Sequence, residues 1–325
     1  MPADKHTSKA AQPASDVRLV TVGADSVDRR LDNFLLTELK GLPRTRIYRL
    51  IRTGEVRVNK GRVKPAYRLA AGDVVRIPPV RGLREGAAVL SAPKVAWIND
   101  CVVYEDEYLL VINKPSGLAV HGGSGISHGA IELLRSARPD SRYLELVHRL
   151  DKDTSGCLLI AKKRSALRRL HDLFREGQVR KIYLALLKGQ WAGGMQEISL
   201  PLVTEHRKGG ERHVRVGEDG KPALTRVFPQ EQFVDAVLAR IELLTGRTHQ
   251  IRVHASAIGH PVAGDERYGS APWRPFGLRR LFLHAHRLEF AHPNTAAQVR
   301  VEVPLEDSLL EVLEGFRHPD RAAGV

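Results

Sequence analysis

One short polar stretch holds the residue types that most enzymes use for chemistry, His148-Arg149-Leu150-Asp151-Lys152-Asp153-Thr154-Ser155-Gly156. Two strand-like segments flank it, an amphipathic one at 143–147 and an apolar one at 157–161. A polar loop between two strands presents side chains from a rigid support, and functional residues are often found in such loops. We therefore predict a loop or sharp bend that carries a functional site.

The two carboxylates of this stretch differ in their surroundings. Asp153 precedes Thr154-Ser155-Gly156 and is suited to a turn in which its side chain bonds the backbone. Asp151 follows His148 and Arg149, so it would be a carboxylate among cations, which favours its charged form. A charged carboxylate suits a nucleophile or a base better than a general acid. From composition alone, a structural salt bridge explains Asp151 equally well.

Other kinds of site have weaker support. A metal site needs convergent ligands at close spacing, yet the chain has neither His-Glu-x-x-His nor paired Cys-x-x-Cys, and His249 and His254 are five residues apart. Ser116 and Ser155 do not match the Gly-x-Ser-x-Gly of a serine nucleophile. The glycines at 121–125 lack a following Gly-Lys-Ser/Thr and indicate a turn. We expect no metal.

The composition is that of a basic globular protein. The 325 residues include 51 Lys or Arg against 37 Asp or Glu, a formal net charge of +14, which favours phosphate-rich partners. The two cysteines, Cys101 and Cys157, lie in apolar runs, so we expect reduced thiols and a cytoplasmic location. The first residues have no apolar core, and no later run is long and apolar enough to cross a bilayer, so we expect neither a signal nor an anchor.

The positive charge is concentrated near the N-terminus. Residues 28–80 hold 13 Lys or Arg and 5 Asp or Glu, a net charge of +8. Two helices are predicted there, one over 29–39 and one after Gly41 and Pro43. The second has apolar and basic residues on opposite faces, which favours phosphate binding over an ordinary solvated face. Its apolar face holds Ile47, Leu50 and Ile51, and its basic face holds Arg46, Arg49 and Arg52.

A hairpin is predicted to follow these helices. Residues 54–63 alternate in polarity and contain Asn59-Lys60-Gly61, which indicates a strand and a tight turn, and 74–77 form a closing strand. The helix–helix–hairpin pattern over about residues 27–80 resembles the S4 RNA-binding domain. That resemblance implies RNA contacts by the basic side chains of the module: Arg44, Arg46, Arg49, Arg52, Arg57, Lys60 and Arg62.

The rest of the sequence indicates a larger second domain. We divide the chain into a disordered tail (1–16), an S4-like domain (17–80), a linker (81–96) and the second domain (97–325). In that domain we predict helices over 131–137 and 163–176, strands over 179–188, 223–230 and 236–244, and a mobile or hairpin region over 205–222. Because strands outnumber helices and do not alternate regularly with them, the pattern favours an α+β fold.

Four motifs in the second domain resemble the RluA family of RNA pseudouridine synthases. They are HRLDKDTSG (148–156), NKPSGLAVHGG (113–123), KIYLAL (181–186) and LTGRTHQIRVH (244–254). The resemblance spans about residues 97–305 and implies a mixed, mainly antiparallel central sheet. The S4-like module and KKRSALRRL (162–170) resemble the C subtype, which modifies 23S ribosomal RNA.

The resemblance implies a cofactor-free isomerisation of uridine to pseudouridine in 23S rRNA or a large-subunit assembly intermediate. Asp151 matches the catalytic aspartate, which acts either as a nucleophile at C1′ or as a base in a glycal route. Tyr183 is expected to stack on the uracil and to assist the removal of the C5 proton, Arg247 to pair with Asp151, and Ile251 to line the pocket. The target uridine must be flipped out of the RNA, and His148 and Arg149 are candidates to hold the gap or adjacent phosphates. A monomer is the default expectation.

Two alternatives remain open at this level. A non-catalytic RNA-binding or ribosome-assembly protein would keep the fold, although Asp151, Tyr183 and Arg247 are all present. A hydrolase that uses the Asp151/Asp153 pair on a nucleoside or glycan would release free uracil or sugar, whereas isomerisation releases neither.

Overall fold

A computed structural model describes nine ranges of the chain, residues 17–23, 26–39, 42, 44–80, 95–122, 128–141, 143–206, 212–269 and 271–319. The predicted tail (1–16), most of the predicted linker (81–94), Gly41 and Pro43 lie outside them. The chain forms two compact units, Met1–Val89 and Leu90–Val325. The domain boundaries proposed at 17, 80 and 97 stay predictions.

The first unit is a small helix–hairpin module. Its strands are β1 (Arg18–Thr21), β2 (Arg57–Val58) and β3 (Val74–Ile77), and its helices are α1 (Leu31–Glu38) and α2 (Arg44–Arg52). The strands pair antiparallel in the order β1-β3-β2. The predicted inner faces are buried, because the apolar side chains of both helices meet in one core. Strand β1 had not been predicted as a strand.

The predicted tight turn of the first unit lies at Asn59-Lys60. Both residues have positive φ, 50° and 67°, and Val58 and Gly61 exchange backbone hydrogen bonds of 3.1 and 2.9 Å. Two consecutive left-handed residues define the type I′ turn, whose twist matches that of the adjoining strands. The turn projects the basic residues of the hairpin away from the core.

The second unit is built around one large sheet. Its strands are β4 (Val102–Glu105), β5 (Leu109–Lys114), β6 (Glu145–Leu146), β7 (Ser155–Ala161), β8 (Arg180–Lys188), β9 (Gln196–Ser199), β10 (Leu202–His206), β11 (Arg212–Val216), β12 (Leu224–Gln232), β13 (Ala236–Leu243), β14 (Leu283–Ala291) and β15 (Gln298–Glu302). Its helices are α3 (Ala130–Ala137), α4 (Arg164–Arg175), α5 (Gln250–Ala257) and α6 (Asp307–Arg317).

The topology confirms the predicted α+β class with a mixed, mainly antiparallel central sheet. Among the described residues the sheet has ten strands, with the main path β4-β5-β7-β14-β8-β13-β12-β9, while β15 joins β14 and β6 joins β7. Only the β7–β14 pair in this described sheet is parallel. Strands β10 and β11 form a separate antiparallel hairpin, so the hairpin interpretation of 205–222 is confirmed for the described strands. Helix α6 had not been predicted.

Strand β7 lies in the interior of this sheet and is covered on both faces. Leu158 and Ile160 belong to the core on one face, and Leu159 and Ala161 to the core on the other. This explains the uninterrupted apolar run, because successive side chains of a strand point to opposite faces. The strand therefore forms a rigid support for the polar loop that precedes it.

The strand also begins earlier than predicted. We had assigned Asp153-Thr154-Ser155-Gly156 to the turn, but Ser155 and Gly156 already belong to β7. Gly156 has φ 106°, and an added Cβ would lie 2.3 Å from the Ala285 carbonyl oxygen. A glycine is required there because β14 approaches the backbone too closely for any side chain.

Candidate active site

The polar loop opens into a cleft of about 540 Å³ within the second unit. Its wall is formed by the loop at 148–151, by β8 and by residues 246–252. Asp151 is the one carboxylate among the described residues that line the cleft, which also hold four Lys or Arg side chains: Arg149, Lys181, Arg247 and Arg252. The cleft therefore presents one negative group in cationic surroundings.

The loop that carries Asp151 is held by the segment after β5. Lys114 Nζ donates to the carbonyl oxygens of Pro115, Leu118 and Lys152 at 2.9, 2.8 and 3.0 Å. The backbone N–H of Gly117 also donates to Lys152, and Ser116 Oγ donates to the Asp153 carbonyl at 2.8 Å. The motifs at 113–123 and 148–156 are thus one structural unit, a role for Lys114 that the sequence did not reveal.

Tyr183 is on strand β8, and its side chain lines the same cleft as Asp151. Its side chain is buried, and burial raises the pKa of Tyr183 far above its ordinary value, with the Asp151 carboxylate acting in the same direction. The phenol therefore stays protonated at neutral pH. A protonated phenol on a buried aromatic ring thus lines the same cleft as the Asp151 carboxylate.

The cation near Asp151 differs from the predicted one. Arg247 is exposed and its Nε donates to the Pro222 carbonyl at 3.1 Å. The described contacts contain no ion pair between Arg247 and Asp151. Arg252 is buried, and the carboxylates of Asp265 and Asp151 both raise its pKa, against the effect of burial. The predicted Arg247–Asp151 pair is therefore wrong for this structure.

The start of helix α5 explains this difference. Residues 245–249 precede the helix in a loop, whereas Arg252 is on its first turn and is buried. There Arg252 forms a bidentate ion pair with Asp265, with distances of 2.7 and 2.6 Å. Both arginines belong to the motif LTGRTHQIRVH, and only the bounds of the helix show which one faces inward. Ile251 lines the cleft from the same turn.

His148 and Arg149 are both on the wall of the cleft, but in different environments. His148 Nε2 accepts a hydrogen bond of 3.0 Å from the Leu159 N–H, and its ring stacks on Phe174. Burial lowers the pKa of His148 to about 4, so the ring is neutral at pH 7. Arg149 is exposed. These contacts make His148 a support of the loop and leave the Arg149 side chain accessible to solvent.

A second polar network lies behind the loop. Ser155 Oγ is 2.8 Å from His284 Nδ1 and accepts from Arg280 at 2.6 Å. His284 Nε2 donates to the Val303 carbonyl at 3.1 Å, so Nδ1 is the acceptor and Ser155 the donor. Arg280 also pairs with Glu306, which precedes α6. The network connects the first residue of β7 with the C-terminal part of the chain.

Because His284 is buried, we predict that the protein loses stability in acid. Burial lowers its pKa to about 4, whereas an unfolded chain protonates histidine near pH 6.5. The unfolded state binds the proton first as the pH falls, so this contribution is complete above pH 6.5 and is lost between 6.5 and 4. We expect urea unfolding to give up to about 3 kcal/mol less stability over that interval. His284→Asn should flatten the dependence, and an unchanged slope would contradict the assignment.

The first unit presents the predicted basic residues at its surface. Six of the seven have described side chains, and all six are exposed: Arg46, Arg49, Arg52, Arg57, Lys60 and Arg62. The Arg44 side chain lies outside the described set. Tyr48 is 41% exposed and lines a concave surface with Arg49, Arg52, Arg62 and Lys64. Basic groups around an exposed aromatic ring can bind phosphates and stack a base.

The described ranges contain no group of three or more His, Cys, Asp or Glu residues placed to hold a metal ion. None of the helices in the described part is long and apolar enough to cross a membrane. Cys101 and Cys157 are free thiols and form no disulfide bond.

Comparison with known proteins identifies the family. Residues 108–257 match the model for RNA pseudouridylate synthase, and 29–75 match the S4 domain. "Ribosomal large subunit pseudouridine synthase C" of Yersinia pestis is 54% identical over 93% of this chain and 96% of its own length. The protein of the same name in Escherichia coli K12 is 52% identical over 93% and 97%.

Solved structures share the fold. "Human RNA Pseudouridylate Synthase Domain Containing 4" has a TM-score of 0.59 at 24% identity, covering 70% of this chain and 96% of that one. "Human RNA Pseudouridylate Synthase Domain Containing 1" has a TM-score of 0.52 at 30% identity, covering 66% and 94%. With its S4 domain, its central sheet and the cleft around Asp151, the chain belongs to the RNA pseudouridylate synthase family and is an isomerase.

Proposed function

We propose that this enzyme isomerises specific uridines of large-subunit (23S) ribosomal RNA to pseudouridine, with Asp151 as the catalytic group. The observation that carries the assignment of Asp151 is its position as the one carboxylate lining the described part of a cationic cleft, next to Tyr183. The substrate class comes from the relatives, which are named ribosomal large subunit pseudouridine synthases.

The reaction breaks the N1–C1′ bond of uridine, turns the uracil and joins C5 to C1′, after which C5 loses its proton and N1 gains one. Asp151 either attacks C1′, forming a covalent ester that the uracil C5 later displaces, or removes the C2′ proton to give a glycal, to which C5 adds at C1′ as the proton returns to C2′. The departing uracil carries the electron pair of the broken bond. Cations that line the cleft, Lys181 and Arg252 among them, stabilise this negative charge because they are held in place before the reaction begins.

Tyr183 and Ile251 would hold the uracil during its rotation. Tyr183 offers a buried aromatic face, and Ile251 an apolar wall. Arg149, exposed at the mouth of the cleft, would contact the RNA from which the uridine is flipped. A flipped base costs a few kcal/mol of lost stacking, which contacts of this kind offset.

A direct test uses in-vitro-transcribed 23S rRNA, either free or in partly assembled large-subunit particles. After incubation with the enzyme, carbodiimide treatment and primer extension report each new pseudouridine as a stop. We expect stops at a small number of positions and no release of free uracil. Released uracil would support a hydrolase, and the absence of new stops on both substrates would contradict the proposed function.

The first unit would bind RNA backbone through its exposed arginines. Replacing Arg46, Arg49 and Arg52 together with Gln should weaken rRNA binding and reduce the slope of log K against log salt by about 2 to 3, because each phosphate contact contributes about 0.7 to 0.9. Filter binding at several salt concentrations measures both quantities.

A matched control changes the same net charge in the second unit. Arg226, Arg300 and Arg317 are engaged in surface ion pairs with Glu197, Glu302 and Glu231. Their triple replacement by Gln should leave the salt slope close to that of the wild type. Equal effects of the two triple variants would mean that net charge, and not the α2 surface, drives binding.

A further inference from the structure

His249 lies between Asp151 and a buried tyrosine. Its Nε2 is 3.8 Å from Asp151 Oδ1, and its Nδ1 is 2.7 Å from the hydroxyl oxygen of Tyr268. The ring lines the catalytic cleft. The two nitrogens of the imidazole therefore face two different partners. The tautomer of His249 determines whether Nε2 presents a proton or a lone pair to the Asp151 carboxylate.

The contacts of Tyr268 determine that tautomer. Tyr268 is buried, and its hydroxyl oxygen accepts a hydrogen bond of 3.3 Å from the backbone N–H of Val214. The hydroxyl proton needs an acceptor of its own, since a buried donor without a partner is costly. His249 Nδ1 is the acceptor that the described contacts provide. Tyr268 thus donates to Nδ1, and the remaining ring proton is on Nε2, directed toward Asp151.

The backbone of His249 supports a specific role. Its φ is 53°, in the left-handed region, at the residue before helix α5. A residue that is not glycine seldom adopts this conformation, and it persists where the surrounding structure imposes it. Here it lets the chain turn into α5 while the ring remains between Asp151 and Tyr268.

Tyr268 also contacts the β10–β11 hairpin. Val214, whose N–H bonds the hydroxyl, lies on β11 opposite Thr204, and it shares a small core with Tyr268 and Val253 of α5. The His213 ring lies 5.6 Å from the Tyr268 ring, centroid to centroid. The position of the hairpin is thereby connected with that of the imidazole.

We propose that His249 is a positioning residue for pseudouridine formation, which directs Nε2–H at the Asp151 carboxylate, and that Tyr268 fixes this tautomer and couples it to the seating of the β10–β11 hairpin. The proposal rests on the assignment of Asp151 as the catalytic group. A shift of about 1 Å would bring the 3.8 Å contact into hydrogen-bond range, and such contacts often tighten when substrate binds. A hairpin displaced by RNA would in this way alter the orientation of Asp151.

The electrostatic surroundings keep the imidazole neutral. Burial lowers the pKa of His249, and Arg252 and Arg267 act in the same direction. The carboxylates of Asp151 and Asp265 act in the opposite direction. Tyr268 donates to the neutral ring, so loss of its hydroxyl should raise the pKa of His249.

The test compares Tyr268→Phe with Tyr104→Phe under single-turnover conditions. The Tyr104 hydroxyl donates to Asp106 at 2.8 Å, outside the cleft, so its removal is a matched control. Tyr268→Phe should lower the rate constant by about tenfold with little change in the Kd for RNA, because a misoriented group slows the chemical step. It should also raise the pKa of His249, which the pH dependence of the ¹⁵N shifts of its ring measures, while Tyr104→Phe should leave both the rate and this pKa unchanged.

Two further variants test the imidazole itself. His249→Ala should reduce the rate, and His249→Gln, whose amide supplies an N–H donor, should recover part of the loss. The ¹⁵N chemical shifts of His249, assigned by comparison with His249→Gln, should show a protonated Nε2 and an unprotonated Nδ1. The opposite tautomer, or wild-type rates in both Tyr268→Phe and His249→Ala, would overturn the proposal.

Asp151→Asn, measured alongside, separates two kinds of failure. An inactive Asp151→Asn together with unaffected His249 and Tyr268 variants refutes only the positioning role. An active Asp151→Asn refutes the assignment of Asp151 on which that role depends.

Discussion

Replacing Asp151 with Asn is expected to lower the single-turnover rate of pseudouridine formation by about 10⁴-fold or more. The amide has nearly the same volume but can neither attack C1′ nor accept a proton. Asp151 is half-buried, and the described contacts give its carboxylate no hydrogen bond. Its one described ion-pair contact is with His249 Nε2, at 3.8 Å. Folding and RNA affinity should therefore remain close to those of the wild type. Tritium release from 5-³H-uridine-labelled rRNA measures the rate, and thermal unfolding checks the fold.

Asp153→Asn is the matched control for this prediction. Asp153 belongs to the same loop two residues later, but its side chain is exposed and does not line the cleft. Its backbone carbonyl, which Ser116 holds, is unchanged by the substitution. We expect nearly full activity. Similar losses in both variants would indicate that the loop is merely sensitive to charge, and turnover by Asp151→Asn would exclude Asp151 as nucleophile or base.

The second large effect is expected at Arg252. Arg252→Gln removes a guanidinium that is 5% exposed and leaves the Asp265 carboxylate, which is fully buried, without its ion-pair partner. Breaking a buried pair from one side costs about 3 to 5 kcal/mol. Urea denaturation should show this loss of unfolding free energy. Turnover should also fall at temperatures at which the variant remains folded, because a cation near Asp151 has been lost.

Two comparison variants separate the causes of these changes. Arg247→Gln removes an exposed guanidinium that bonds a backbone carbonyl, so we expect a stability change of less than about 1 kcal/mol. The double variant Arg252→Gln/Asp265→Asn should recover part of the stability, because no unpaired charge remains buried. A larger catalytic loss in Arg247→Gln than in Arg252→Gln would restore the pairing that the sequence had suggested.

The local elements were predictable where periodicity and turn chemistry agree. Helix α2 buries Ile47, Leu50 and Ile51 and exposes Arg46, Arg49 and Arg52, as the 3.6-residue period requires. The Asn59-Lys60 turn follows from residues that tolerate a positive φ. Strand β1 was missed because four residues next to a polar N-terminus give too short a pattern, and α6 because no distinct motif marks it.

Contacts between distant segments were not predictable in the same way. Lys114 holds the carbonyl of Lys152, and Tyr268 bonds His249 across 19 residues. Neither contact has a periodic signal, because each depends on which strands lie side by side. The same reason explains the arginine pairing: residues 247 and 252 belong to one motif, and only the point at which α5 begins separates them.

The sequence by itself determined the family, the two-part organisation and Asp151 as the candidate for chemistry, because these depend on residue types at short spacing and on the order of motifs along the chain. The tertiary structure decided which groups surround Asp151. Parallel pairing of β7 with β14 requires Gly156 and places the loop, β8 brings Tyr183 to it, and the first turn of α5 brings Arg252. These neighbours come from far apart in the chain, so their convergence is a property of the sheet and not of any local pattern.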